Sequence, residues 1–300
     1  MSALSQVDEA EAHEPVLLNE VIEWLQVKAE GTYIDATVGA GGHSLAIVRR
    51  LTTGRLIGLD RDARAIALAG ERLGSFGHKV TLVQTEFSKI AEAARELRLP
   101  PADGVLADLG VSSMQLAEEE RGFSFRRAGP LDMRMDPRDA VTAEEIVNHW
   151  PGNELADLLF RNAEEHDSRR IARAIVRARP IRDTAHLATV VAGARKQWGR
   201  QRLHPATKTF LALRIAVNRE LEELGQFLAR TPATLCLGGR WAVISYHSLE
   251  DRLVKQSFQE QTKAAVLRTL TRRVVRPSTA EIAANPRARS AKLRVAEKAA

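Results

Sequence analysis

Three aspartates, each closing an apolar run, are the residues of this sequence best suited to chemistry: Asp35 after Tyr33-Ile34, Asp60 after Leu56-Ile57-Gly58-Leu59, and Asp108 after Val105-Leu106-Ala107. A carboxylate at the carboxyl end of a buried strand can accept hydrogen bonds from an ammonium group or a sugar hydroxyl. Between the first two lies Thr37-Val38-Gly39-Ala40-Gly41-Gly42-His43-Ser44. A chain that passes from strand to helix within so few residues needs positive φ, and bare backbone where a ligand approaches. A dinucleotide-binding G-x-G-x-x-G turn would put glycine at Ser44, and Asp35 would repel a diphosphate. The pattern D-x-T-x-G-x-G instead suits a cationic ligand near Asp35, Gly39, Gly41 and Gly42; a glycine turn that binds nothing is the plainer alternative.

Asp60 follows Gly39 by 21 residues, the separation at which a Rossmann-like unit presents a carboxylate to ribose hydroxyls; capping the next helix is the competing role. Phe87 falls just past a third strand, where its ring can lie on an adenine or join the core. Tyr246 ends a fifth strand and His247 follows it, so an aromatic ring and an imidazole reach the same end of the sheet, either to meet a substrate or to support their own loop. His247 and Glu250 supply half of a metal site that no further His or Cys cluster completes, so no metal is expected.

These side chains need a sheet to hold them. Strands are expected at 32–38, 55–60, 80–84 and 104–110, with helices at 44–51 and 64–73 between them and another at 15–25. That alternation implies an α/β fold, a parallel sheet with helices on both faces and its ligand site at the carboxyl ends of the strands. It then stops. Residues 114–139 are rich in Gly, Arg and turn formers and read as a functional loop. Helices follow at 145–150, after a capping box at 142–145, and at 153–160, 168–178 and 184–194. One longer helix, 207–228, brings the chain back, its stripe of Leu211, Ile215, Leu221 and Leu224 interrupted by Asn218. Strand five is placed at 241–246, and 290–296 alternates as an antiparallel terminal edge strand. The domains expected are therefore 1–115 and 207–300 around an all-helical insertion, 116–206.

With 300 residues and 44% apolar content the chain can bury a substantial core. No apolar run approaches a membrane span and the acidic, polar start has no signal-peptide core, so a cytoplasmic protein without a membrane partner is expected. The single cysteine, Cys236, rules out an internal disulfide and reads as a packed apolar position. A net charge of +6 is concentrated: 194–209 holds five Lys or Arg and no acid, and 265–298 holds nine against two Glu. Such stretches suit phosphate contacts, or are solvated basic faces.

Several blocks together resemble the RsmH (MraW) family, bacterial enzymes that use S-adenosylmethionine to methylate N4 of a decoding-centre cytosine in 16S rRNA. They run from His13-Glu14-Pro15-Val16-Leu17-Leu18 through Asp108-Leu109-Gly110-Val111-Ser112-Ser113, Arg121-Gly122-Phe123-Ser124-Phe125, Gly129-Pro130-Leu131-Asp132-Met133-Arg134-Met135-Asp136, His204-Pro205-Ala206-Thr207 and Ile244-Ser245-Tyr246-His247-Ser248-Leu249-Glu250-Asp251 to Asn285-Pro286-Arg287-Ala288-Arg289-Ser290. The sequence departs from the family at Met114, where proline is usual, and at 163–168.

The resemblance implies a Rossmann-like class I S-adenosylmethionine-dependent methyltransferase with an inserted all-helical domain. The cofactor then falls to Gly41, Gly42, His43, Asp60, Phe87, Asp108 and Gln115, of which His43 and Gln115 enter only through the family. Asp108 either binds the cytosine amine in line with the methyl group or contacts the cofactor alone. Tyr246 would stack the base and His247 would hydrogen-bond it or move a proton. The implied partner is 16S rRNA in the small subunit or a late precursor, with a homodimer left open. Arg126 and Arg134 in the long loop, Arg169, Arg170 and Arg173 on one helix, and Arg202 are the expected RNA contacts. A noncatalytic rRNA-binding assembly factor and a DNA amino-methyltransferase are the rival readings.

Overall fold

The computed structural model describes residues 15–195 and 204–300, and the chain divides into two compact units, Met1–Gly110 with Leu224–Ala300, and Val111–Glu223. In chain order the elements begin with α1 (Leu18–Leu25), β1 (Thr32–Asp35), α2 (Gly42–Val48), β2 (Arg55–Asp60), α3 (Ala63–Leu73), β3 (Val80–Gln84), α4 (Ile90–Glu96) and β4 (Ala102–Asp108). The second unit holds α5 (Ser113–Ala117), α6 (Ala143–His149), α7 (Gly152–Ala163), α8 (Ser168–Ala178), α9 (Thr184–Ala194) and α10 (Thr207–Val217). The unit boundary falls within α11 (Glu220–Arg230), after which come β5 (Leu235–Ser245), α12 (Ser248–Lys263), β6 (Leu267–Thr269), α13 (Thr279–Ala284) and β7 (Lys292–Lys298).

The first unit is a seven-stranded sheet in the order β3-β2-β1-β4-β5-β7-β6. β1 to β5 are parallel, and β7 runs antiparallel to both of its neighbours. This is the Rossmann-like order with one reversed strand set between the fifth and sixth positions. All four residues of β1 are buried, as expected of a central parallel strand covered on both faces. Alternate side chains serve opposite layers: Ile34, Ile57, Leu59, Val105, Trp241 and Val243 pack in one, Tyr33, Leu56, Leu106, Ala242 and Ile244 in the other. The direction of crossover changes between β1 and β4, and the carboxyl ends of those strands carry Asp35 and Asp108.

The second unit is helical. Ile146, Leu155, Leu159, Ile171, Leu187 and Leu213 are fully buried in one core. The segment 114–139 is part of that core, not a loop laid over it: Phe123, Leu131, Met133 and Met135 are buried there. Asn218 is fully buried and fastens this segment. Its Oδ1 accepts the Met135 N–H at 2.8 Å, while Nδ2 donates to the carbonyls of Met133 at 2.8 Å and Arg214 at 2.9 Å.

Four expectations are corrected. The helix expected over 207–228 is two helices, because Asn218 ends α10 and Arg219 turns into the left-handed region at φ 50°. Since α10 packs with the helical core, the second unit runs to Glu223 and begins at Val111, wider than 116–206. The terminal strand is not the edge: β6 pairs outside it, a three-residue strand too short to show periodicity. At 142–145 only half of the capping box forms, with Thr142 Oγ1 accepting the Glu145 N–H at 3.1 Å.

Candidate active site

The glycine turn is held from below by Asp35 and from the side by Asp60. Asp35 Oδ2 accepts the Ser44 hydroxyl at 2.7 Å and Oδ1 accepts the Thr37 N–H at 3.2 Å. Asp60 Oδ2 accepts the Gly39 N–H at 3.0 Å, and its Oδ1 takes the N–H of Asp62 at 2.9 Å. Gly39 and Gly41 have φ of +51° and +80°, and a Cβ placed on Gly39 would come no nearer to another residue than 4.0 Å, at the Thr37 carbonyl. The backbone there is therefore bare and open, a cradle that a ligand can approach closely.

Asp108 is tied to the same turn. Its backbone N–H donates to Thr37 Oγ1 at 2.6 Å, which locks β4 to the strand-one turn. Its carboxylate Oδ1 accepts the Tyr246 hydroxyl at 2.8 Å, and Oδ2 lies 3.8 Å from His43 Nδ1. The side chain keeps 25% of its surface exposed. Tyr246 is held in turn by Glu250, whose Oε2 accepts its N–H at 2.9 Å.

Burial dominates the electrostatics. It pushes Asp60 up to about 6 against the N–H groups of Asp62 and Gly39. It pushes Asp108 up to about 7; the Tyr246 hydroxyl opposes the rise and the charge of Glu250 adds to it. Burial likewise raises Asp35 and lowers His43, and each of that pair favours the charged form of the other. Tyr246 is driven far above the ordinary phenol range by burial and by the neighbouring Asp108 carboxylate. Three carboxylic acids whose burial disfavours charge, beside an open glycine turn, form a site that a cation would suit.

The structure brings Asp35, Gly39, Gly41, Gly42, His43, Asp60, Asp108 and Tyr246 together at one end of the sheet. It places several of them differently from the sequence reading. Asp35 is only 1% exposed and clasps the turn, with no surface turned to a ligand. Asp60 does not cap the next helix; Asp62 does, accepting the Arg64 N–H at 3.0 Å. Phe87 is half-buried, its ring meeting Phe227 edge to face at a centroid separation of 5.2 Å. His247 caps α12: Nδ1 accepts the Glu250 N–H at 3.4 Å, and Nε2 lies 3.0 Å from Glu250 Oε1. That is the internal supporting role, spent on the helix end.

In the second unit Gln115 is buried and closes a capping box with Ser112, accepting its N–H at 3.0 Å. Arg134 is committed to Asp132 through Nε and Nη2, and to the carbonyls of Pro137 and Asp139 through Nη1. This contradicts its expected reach toward a base. Arg126 is exposed, as are Arg169, Arg170 and Arg173, which stand on α8 opposite buried Ile171, Ala172 and Ile175. Arg202 lies outside the described residues. Thr37, Ser44 and Glu250 were missed by the sequence reading. The H-x-x-E spacing from His247 to Glu250 was the available signal for Glu250, because it is that of a capping box.

The chain matches the model of the MraW methylase family over residues 10–299. The ribosomal RNA small subunit methyltransferase H of Acidobacterium capsulatum is 51% identical over 299 residues, covering 97% of this chain and 99% of that protein. The protein of the same name from Koribacter versatilis is 49% identical, with 95% and 93% covered, and that of a Cyanothece strain is 49% identical, with 98% and 97% covered. A glycine turn ringed by strand-end carboxylates, on a chain matched almost end to end, leaves one assignment: this protein belongs to the MraW methylase family.

Proposed function

We propose that this protein transfers the methyl group of S-adenosylmethionine to N4 of a decoding-centre cytosine in 16S rRNA, acting on the small ribosomal subunit or a late precursor in the cytoplasm. The observation that carries the chemistry is Asp108: a strand-end carboxylate, partly exposed, with Oδ1 held by Tyr246 at 2.8 Å and Oδ2 3.8 Å from His43 Nδ1.

The residues present fit the cofactor. Gly39 offers open backbone, while a Cβ on Gly41 would touch Leu73 at 3.4 Å and one on Gly42 would press on Pro15 at 2.6 Å, so those two glycines let the turn pack closely. Asp60 offers lone pairs beyond its two backbone contacts for ribose hydroxyls, and Phe87 keeps part of its ring uncovered for an adenine. His43 and Gln115 join this set through the family resemblance, and Asp35 acts by holding the turn. S-adenosylmethionine supplies an electrophilic methyl group on a positively charged sulfur. The cytosine amine is a weak nucleophile because its lone pair is shared with the ring. Asp108 Oδ2 accepts an N–H of that amine, which lets the nitrogen pyramidalise and turns its lone pair toward the methyl group. Tyr246 keeps the carboxylate from rotating away. The helical unit supplies the RNA surface, with Arg169, Arg170 and Arg173 following a phosphate backbone and Arg126 a further contact.

The test is to incubate the protein and its Asp108→Ala variant with methyl-labelled S-adenosylmethionine and small subunits lacking the modification, then identify the labelled nucleoside. N4-methylated cytidine from one site, lost in the variant, is the expected result. No label with either mature or precursor subunits, despite cofactor binding, would leave an assembly factor, and label in naked duplex DNA would redirect the assignment.

A further inference from the structure

The imidazole of His43 is buried, and a neighbour that can only accept decides where its proton sits. Nε2 lies 2.9 Å from the carbonyl oxygen of Val16, so the hydrogen of the neutral ring is on Nε2. Nδ1 is then a bare lone pair, 3.8 Å from Asp108 Oδ2. The other oxygen of that carboxylate is occupied by the Tyr246 hydroxyl at 2.8 Å. A proton arriving on Asp108 therefore belongs on Oδ2, and the base next to Oδ2 is His43 Nδ1, a shift of ~1 Å short of hydrogen-bond contact.

We propose that His43 is the proton acceptor behind Asp108, taking from its Oδ2 the proton that the amine sheds on methylation. This rests on Asp108 being the acceptor of the amine, as above. The nitrogen lone pair forms the new N–C bond, and one N–H bond then breaks with its electron pair returning to nitrogen. That proton goes to Asp108 Oδ2 and on to Nδ1, leaving Asp108 a carboxylate again and His43 an imidazolium. His43 acts through Asp108 and is a positioning residue for the proton, not a contact to substrate.

Burial lowers His43 and pushes Asp108 up to about 7, so the imidazolium is a transient holder of the proton and not its resting place. Asp35, on β1, is the charge that favours the imidazolium, against the cost of burial. Asp108, on β4, is the carboxylate regenerated beside it, and Glu250, from α12, adds negative charge near Asp108. Tyr246 stays neutral, and Glu281, from α13, faces Tyr246. With Asp35 and Asp108 ionised, a proton on His43 reduces a buried excess of negative charge. Release follows the same route backward, because Asp108 has exposed surface and the Val16 contact leads nowhere.

His43→Gln keeps an N–H for Val16 and removes the basic nitrogen. In the cofactor-free wild type, nitrogen NMR of the imidazole at mildly alkaline pH should show Nε2 protonated and Nδ1 bare. Carboxyl-carbon NMR should show Asp108 titrating in linked steps with His43, and Asp35→Asn should move the His43 midpoint down. The His43→Gln variant, checked for fold by circular dichroism and assayed at saturating cofactor as set by calorimetry, because His43 also belongs to the cofactor set, should lose about tenfold or more in kcat. An unchanged kcat, a wild-type proton on Nδ1, or independent titration of the two groups overturns the relay. Should the variant fail to fold, the wild-type titration decides alone. A wild type that does not methylate, or a fully active Asp108→Asn, would instead overturn the underlying function.

Discussion

Replacing Tyr246 by Phe removes one oxygen atom and, with it, the hydrogen bond to Asp108 Oδ1 at 2.8 Å. Burial already holds Asp108 up to about 7, and the phenol hydroxyl is the group that restrains the rise. A hydrogen bond to a charged group is worth about 1.5–3 kcal/mol, and one pKa unit corresponds to about 1.4 kcal/mol, so its loss lifts Asp108 by roughly 1–2 units. Only the ionised carboxylate can take up the proton that the amine sheds. The acid limb of the pH–rate profile should therefore move to higher pH by that amount. On that limb the variant runs slower by roughly 10- to 100-fold, and the two enzymes converge above both midpoints. A bound cation lowers both midpoints alike, so the comparison rests on their difference. Single-turnover methylation of small subunits at saturating cofactor, followed across the neutral range, measures it. A loss by the same factor at every pH would mean that Tyr246 works by packing or stacking, and an unmoved acid limb would refute the electrostatic reasoning.

Other consequences can be checked separately. Asp60 and Asp108 sit near 6 and 7 in the folded chain, above the ordinary 3.8, so the folded state holds protons that the unfolded chain releases. Their contribution to stability is complete below about pH 4 and lost as pH rises through about 7, so Asp108→Asn should gain in thermal midpoint relative to wild type across that window. Asn218→Ala removes three hydrogen bonds from a fully buried amide and leaves the Met135 N–H without that acceptor. A cost of about 2–4 kcal/mol should appear as Met135 amide exchange faster by roughly 30-fold or more; unchanged exchange would show that the segment is held elsewhere. Arg170→Ala with Arg173→Ala should lower the slope of log affinity against log salt by about 1.4 for single-stranded RNA, and an unchanged slope would return both to a solvated face.

The sheet was legible in the sequence because parallel strands buried on both faces leave near-continuous apolar runs, and here three of them end in an aspartate. β6 was not, since three residues carry no period. The break after α10 was half legible: Asn218 stood out as an amide in an apolar stripe, but nothing local revealed that its partners lie 83 and 85 residues away, at Met135 and Met133. The same limit governs the site.

Residue type and strand position picked out Asp35, Asp60 and Asp108 as ligand-binding carboxylates, and their partners then decide which of them remain available. Ser44, nine residues on, draws Asp35 beneath the turn, so it is structural, while Tyr246, 138 residues on, leaves Asp108 with one oxygen engaged and the other available. Arg134 makes the complementary case. It looked like a free cation until the two-residue spacing from Asp132 is read as an acid–arginine pair, a spacing that Asp136 and Arg138 repeat with the same result. A sequence reports which charges a chain possesses; which of them remain available depends on long-range partners, because a buried charged group binds whatever neighbour compensates it before it can bind a ligand. Of the three carboxylates at the turn, Asp108 is therefore the one whose substitution should stop the chemistry and leave the fold standing, whereas loss of Asp35 should loosen the turn itself.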